Sequence, residues 1–252
     1  MINTRTLIDY TLHLADNALI IGHRNSEWCG HGPVLEQDIA ISNIALDYIG
    51  QARNFYQYAA QLKGNSATED SLAYLREVID FKNCLLVELP NGDWGQTILR
   101  LFFFSTYQYF LYQQLQNSAN EQLAAIAEKA LKEVTYHIRW SSEWVILLGD
   151  GTEESKQRML QAVDELWSYT GEIFQAVSYE LLAVSEGFGV NLMSIKNNWD
   201  NKIRSVFEEA TLPLPADAWM QSGGKEGRHS EHLGYVLGEM QFLQRAYPGA
   251  EW

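Results

Sequence analysis

Leu35-Glu36-Gln37-Asp38-Ile39-Ala40-Ile41-Ser42-Asn43-Ile44-Ala45-Leu46-Asp47-Tyr48-Ile49-Gly50-Gln51-Ala52-Arg53-Asn54-Phe55-Tyr56 decides the fold class. Ile41, Ile44, Tyr48, Ala52, Phe55 and Ala59 recur at three- and four-residue intervals, the spacing of one face of an α-helix. Leu35, Ile39, Leu46, Ile49 and Tyr56 make a second apolar face. A helix apolar on two sides is expected to be buried among other helices. Asn43, Asp47, Gln51 and Asn54 run along the same helix as a polar stripe. A buried polar group without a partner costs about 1–3 kcal/mol, so the stripe must face polar groups of other helices, a metal ion or the surface of another protein chain.

The same period governs the chain on either side, and no period-two strand pattern interrupts it. The spacing predicts long helices over 6–24, 35–62, 94–116 and 120–148, closed by Gly/Asn/Asp punctuation at 64–65, 90–93 and 149–151. Shorter helices are predicted over 69–79 and 192–209, a fifth long one from Thr152 through Trp167 to about Ala183, and a last one over 230–247. Thr152 can cap its helix, with Glu153 and Glu154 favourable at the positive end. No low-complexity linker divides the chain. The expected architecture is a single all-α domain over 1–252, a bundle of four long antiparallel helices with additional helices packed outside.

Hydrophobic residues make up 46% of the chain and charged residues 20%, enough to bury a sizeable core. The formal charge of −14, without a Lys/Arg run, repels phosphate and argues against nucleic acid. The stretch 101–119 has no charged residue, but Gln108, Gln113, Gln114 and Gln116 suit a buried helix and not a membrane span. The N-terminal segment, with Asp9 and Asp16 in an amphipathic pattern, is no signal peptide. Cys29 and Cys84 fit two free thiols in a reducing compartment, a single disulfide staying open. A cytoplasmic location is expected.

Glu133 and His137 lie one helical turn apart and share a face with Trp140 and Trp144. A carboxylate and a histidine on a long bundle helix raise the question of a dimetal centre, which takes a Glu from each of two helices and a Glu-x-x-His pair from each of the other two. Asp47 is followed at the third position by Gly50, and Glu133 by Tyr136, with His137 one residue late. A one-residue shift turns a side chain about 100° around the helix. The third long helix has no Asp or Glu between Gln96 and Asn117; Leu101-Phe102-Phe103-Phe104, Tyr107, Tyr109, Phe110 and Tyr112 fill it instead. Asp16, Asp47, Glu133 and His137 are therefore read as the remains of a ligand set, with Asp47, Glu133 and His137 held in a hydrogen-bonded structural cluster that Arg53 or Arg139 could join. A site of so few hard ligands would hold ferrous iron weakly. His229-Ser230-Glu231-His232 reads as helix capping and interface polarity, and the Cys29/His31 pair as loop chemistry. HExxH, GxSxG, P-loop and GxGxxG patterns are absent.

Several longer stretches carry a resemblance. They are Glu27-Trp28-Cys29-Gly30-His31-Gly32-Pro33, Asn43 to Asn54, Leu85-Leu86-Val87-Glu88-Leu89-Pro90-Asn91-Gly92-Asp93, Lys132 to His137, Glu231-His232-Leu233-Gly234, Glu239 to Arg245, and the terminal Trp252. Taken in order across the chain, they resemble the C-type subunits of the ring-1,2-phenylacetyl-CoA epoxidases, also called phenylacetate-CoA oxygenases. The resemblance implies a ferritin-like fold and no catalytic, cofactor-binding or metal-binding residue in this chain. It implies pairing with a related A-type catalytic subunit that holds the di-iron centre, further epoxidase subunits, and a reductase with NADPH, flavin and iron–sulfur. Trp28, His31, His229 and His232 are the candidates for partner contact. Self-association of the isolated chain, as a homodimer, stays open. So does the competing reading of a metal-binding ferritin-like oxygenase active by itself, and the blander one of a helical binding module.

Overall fold

The computed structural model describes residues 3–216 and 219–250; Trp252, the end of the resemblance, lies outside the described residues. Among the described residues the chain is helix and connecting segment, with no strand. It divides into two compact units, Met1–Pro90 with Gly223–Trp252, and Asn91–Ser222, where a single domain is expected from the sequence.

The first unit is built on the pair α1 (Thr4–Ser26) and α2 (Leu35–Lys63). Asn3 starts α1 by accepting hydrogen bonds from the Arg5 and Thr6 amides, which satisfies donors that have no partner inside the first turn. Gly64, at φ +63°, ends α2 in a backbone conformation that L side chains rarely adopt. The two helices are antiparallel: a Cβ at Gly22 would touch Tyr48 and Ile49, while Asp16 bonds Tyr56. Ile41, Ile44, Tyr48, Ala52, Phe55 and Ala59 are buried, as their spacing requires.

The second apolar face of α2 behaves differently. Tyr56 is buried, but Leu35, Ile39 and Leu46 are 71%, 52% and 68% exposed. The expectation that α2 is enclosed on both sides is thus corrected within this chain. The polar stripe grades from exposed Asn43 through half-buried Asp47 and Asn54 to buried Gln51.

Around this pair lie α3 (Glu69–Tyr74), a 3-10 turn Val78–Asp80, α4 (Leu85–Glu88), α10 (Glu231–Met240) and α11 (Phe242–Ala246). The predicted helix over 69–79 stops at Tyr74, where Arg76 turns inward and the Asp80 carboxylate accepts from the Glu77 amide to begin the new turn. The predicted helix over 230–247 breaks at Gln241, whose buried side-chain amide donates to the carbonyls of Ala73 and Arg76, both at 3.1 Å.

The second unit is built on α5 (Trp94–Leu115) and α6 (Glu121–Gly149), with α7 (Glu153–Leu166), α8 (Ser178–Ser185) and α9 (Leu192–Glu209) around them. The continuous helix predicted from Thr152 to Ala183 is interrupted after Leu166 by 3-10 turns at Trp167–Tyr169 and Glu172–Phe174. Packing forces the break. The Trp167 ring lies 5.9 Å from Phe103, 6.2 Å from Trp199 and 6.5 Å from Phe207. A Cβ at Gly171 would come within 2.5 Å of the Met220 side chain, which seats the following connection. Trp199 donates its indole N–H to the Phe103 carbonyl at 3.0 Å, so the polar atom of this cluster is satisfied.

Phe103 is at the centre of that aromatic group and is fully buried. Phe103→Ala is expected to cost about 3–5 kcal/mol, measured as a lowered urea-unfolding midpoint by tryptophan fluorescence. A loss below about 1 kcal/mol, the range of tolerated volume-conserving swaps, would contradict the packing described.

Candidate functional site

The four residues read as remains of a ligand set fall into two groups. Asp16 and Asp47 belong to the first unit, Glu133 and His137 to the second. In the antiparallel pair, Asp16 faces Tyr56, nine residues beyond Asp47 on α2. Nine residues of helix amount to about 13 Å, so Asp16 and Asp47 do not share an ion.

Asp16 is wholly buried, and its carboxylate is already saturated. It accepts from the Tyr56 hydroxyl at 2.6 Å, from the Lys82 amide at 2.8 Å and from Arg76 Nη1 at 3.1 Å, with a further bond from Arg76 Nη2. The guanidinium also stacks over the Phe81 ring, 4.2 Å from its centroid. Burial alone would lower the Arg76 pKa, but the adjoining Asp16 charge and Tyr56 outweigh it and raise the pKa. Burial first, and then the Asp16 charge, pushes the Tyr56 hydroxyl well above its ordinary value. The counter-charge to Asp16 is therefore an arginine. His13 and Asn17 extend the same face of α1: the His13 Nδ1–H donates to the Lys82 carbonyl at 2.7 Å, and Asn17 Oδ1 accepts from the Cys84 amide at 2.9 Å.

Glu133 is half-buried and His137 buried, one turn apart on α6. Of the two arginines suggested by the sequence, Arg53 bonds Glu69 at 2.9 Å, and Arg139 lies over the Tyr136 ring at 5.7 Å. Trp140 and Trp144 form an edge-to-face group with Trp94 at 6.1 and 6.0 Å. On α5, which has no Asp or Glu, Phe102, Phe103 and Phe104 are all fully buried. Among the described residues, no group of three or more His, Cys, Asp or Glu side chains could hold a metal ion. Cys29 is exposed, Cys84 is buried, and both are free thiols.

A second buried carboxylate was not singled out from the sequence. Glu88 lies within Leu85-Leu86-Val87-Glu88-Leu89, and a charge inside an apolar run is itself the signal of a buried pair. Its carboxylate accepts from Asn83 Nδ2 at 2.8 Å, the Ser230 amide at 2.7 Å, the Ser230 hydroxyl at 2.8 Å and His229 Nδ1 at 2.8 Å. His229 Nε2 donates to the Phe81 carbonyl at 3.0 Å. With acceptors at both ring nitrogens, the imidazole is held doubly protonated. Burial works to lower the His229 pKa, but the Glu88 carboxylate and the Phe81 carbonyl raise it overall. Arg24 closes the cluster by donating to the Glu88 carbonyl from Nε at 3.1 Å and from Nη2 at 2.8 Å.

These contacts bear on one of the four residues expected from the sequence to meet a partner. The His229 side chain is 1% exposed and committed internally. His232 is half-buried, with its carbonyl facing Arg24, Trp28 is half-buried, and His31 is exposed in the loop before α2.

Compared with known proteins, residues 2–252 match the family model described as Phenylacetic acid catabolic protein. The chain is 46% identical over 246 residues to the C-type subunit of the 1,2-phenylacetyl-CoA epoxidase of Escherichia coli (strain K12), covering 98% of this chain and 99% of that relative. The all-helical architecture agrees with the ferritin-like fold of that family.

Removing either partner of a buried pair leaves an uncompensated charge. Arg76→Ala is therefore expected to destabilise the first unit by about 3–5 kcal/mol, read by chemical denaturation; an effect below about 1 kcal/mol would place the pair in the surface class. The His229 pKa is raised on folding, so its stabilising contribution is complete below the unfolded value of 6.5 and is lost as pH climbs through the raised value. Denaturation midpoints should fall across that alkaline-going window in the wild type, and His229→Gln should flatten the fall. An unchanged pH slope in the variant would contradict the imidazolium assignment.

Proposed function

We propose, from the premise that the chain belongs to the family of phenylacetic acid catabolic proteins, that it is a non-catalytic structural subunit of a 1,2-phenylacetyl-CoA epoxidase complex. In this reading it pairs with a related subunit that holds the di-iron centre and carries out ring epoxidation in aerobic phenylacetate breakdown. Electrons come from NADPH through the flavin and iron–sulfur groups of a reductase subunit. In this reading the complex works in the cytoplasm. No helix among the described residues is long and apolar enough to cross a membrane.

The observation that supports the silent role is the state of Asp16. A carboxylate that already accepts from a guanidinium, a phenol and a backbone amide has no lone pair left for an iron ion without breaking a buried ion pair. The middle of α5, with Phe102, Phe103 and Phe104 buried and no Asp or Glu, supports the same reading from the second unit, because iron at such a site needs carboxylate ligands. What remains for such a chain to do is mechanical: to hold the helices of an active relative in place.

The complex reconstituted from separately purified subunits tests this. Omitting the chain should abolish or strongly reduce NADPH-dependent turnover of phenylacetyl-CoA. The variants Glu133→Gln and His137→Asn, once assembled, should leave kcat within about twofold of wild type, below one logarithmic unit of barrier height. A loss of several orders of magnitude in either assembled variant would overturn the structural role and make this chain a catalyst.

A further inference from the structure

We propose that the cleft beside α3 in the first unit is a binding site for a small organic cation, a primary ammonium carried on a short aromatic stem. The site lies within one unit and stands independently of the subunit role proposed above.

Two cavities share Asp70 and Tyr74 of α3. The inner one, of about 310 Å³, is formed by α1, α2 and α3. Leu19, Ala52, Tyr56 and Ala73 are buried in its wall, and half-buried Ile49 and Tyr74 complete it. The Tyr56 hydroxyl is committed to Asp16 at 2.6 Å, so this residue offers the chamber its ring. Small-molecule sites hold roughly 300–1,000 Å³ behind mostly apolar walls, and this chamber suits a single aromatic ring. The outer cavity, of about 880 Å³, runs from α3 to residues 244–250.

The polar groups of the cleft decide the charge of the ligand. Its donors are already engaged. Arg53 donates to Glu69 Oε1 at 2.9 Å. Arg245 donates to Glu77 and to the Arg76 carbonyl, both at 2.9 Å. The Ser71 hydroxyl donates to the Thr68 carbonyl at 2.9 Å. The acceptors are not matched in the same way. Gln57 also donates to Glu69 Oε1, at 3.1 Å, which leaves Oε2 without a donor among the described residues. Asp70 lines both cavities and has no hydrogen bond or ion pair among the described residues. Gln244 lines the outer cavity, and its Oε1 is buried without a donor among the described residues. Burial first, and then the Asp70 charge, raises the Tyr74 hydroxyl above its ordinary value, so the field of that carboxylate falls on the ring the two cavities share.

A buried acceptor and an unpaired carboxylate beside an apolar chamber call for a positively charged donor. An ammonium brings three donors and no acceptor. The faces of tyrosine rings favour a cation as well. An anion would meet Asp70 and Glu69 with both arginines of the cleft already engaged. The formal charge of −14 draws ligands of the same positive sign toward the chain.

Benzylammonium is the probe, benzoate its anionic counterpart, and methylammonium the charge without the ring. Titrated into the purified full chain at neutral pH and followed by two-dimensional NMR, benzylammonium should show one saturable site with a dissociation constant of roughly a millimolar or below. The largest shifts should fall on the amides of residues 69–74. Benzoate and methylammonium should each bind at least about tenfold more weakly, and added salt should weaken benzylammonium. Asp70→Asn, at an exposed position, should keep the wild-type unfolding midpoint and weaken binding about tenfold, the loss of one charge-assisted hydrogen bond. Ala73→Leu, which fills the inner chamber, should abolish binding; if that variant does not fold, Asp70→Asn decides alone. No saturable binding by the wild type, equal affinity for benzoate, or wild-type affinity in folded Asp70→Asn would each overturn the site.

Discussion

A carboxylate with none of its surface in water must be paired, and Asp16 meets that requirement with an arginine from sixty residues away in the chain. Much of the first unit is organised by that pairing. Arg76 has to turn inward, which ends α3; the Lys82 amide has to reach the same carboxylate, which draws the 82–84 segment against α1, where His13 and Asn17 hold it. Glu88 repeats the solution with His229, Ser230 and Asn83, and so binds the C-terminal segment to the N-terminal helices of the same unit.

This bears directly on iron. A dimetal bundle is a set of buried carboxylates whose charge the metal neutralises. Here the buried carboxylate of α1 is neutralised by a guanidinium, and α5 contributes benzene rings. Within the first unit, Asp16 and Glu88 each sit in a hydrogen-bonded cluster built from the chain's own side chains and backbone.

Much of the architecture was legible in the sequence because it is local. Strong 3.6-residue periodicity and clear Gly/Asn/Asp punctuation located α1, α2, α5, α6 and α9 to within about two residues at either end. The breaks inside the expected helices over 69–79, 153–183 and 230–247 were not legible, since each is imposed by a residue reaching elsewhere: Arg76 to Asp16, Trp167 to Phe103, Gln241 to Ala73. The same holds for the clusters. The missing carboxylates of α5 could be read directly, whereas the partners of Asp16 and Glu88 lie 60 and 141 residues away, beyond any periodic pattern. Periodicity also overstated the enclosure of α2, because an aliphatic face left exposed has the same spacing as one packed into the core.

The most direct measurement is elemental iron analysis of the isolated full-length chain after anaerobic loading with ferrous iron and desalting. The charge balance at Asp16 predicts that no stoichiometric iron is retained, and that the Asp16–Arg76 pair keeps its stability whether or not iron was offered. Retention of stoichiometric iron, with Asp47, Glu133 and His137 needed for it, would contradict the account and make the chain a metalloprotein.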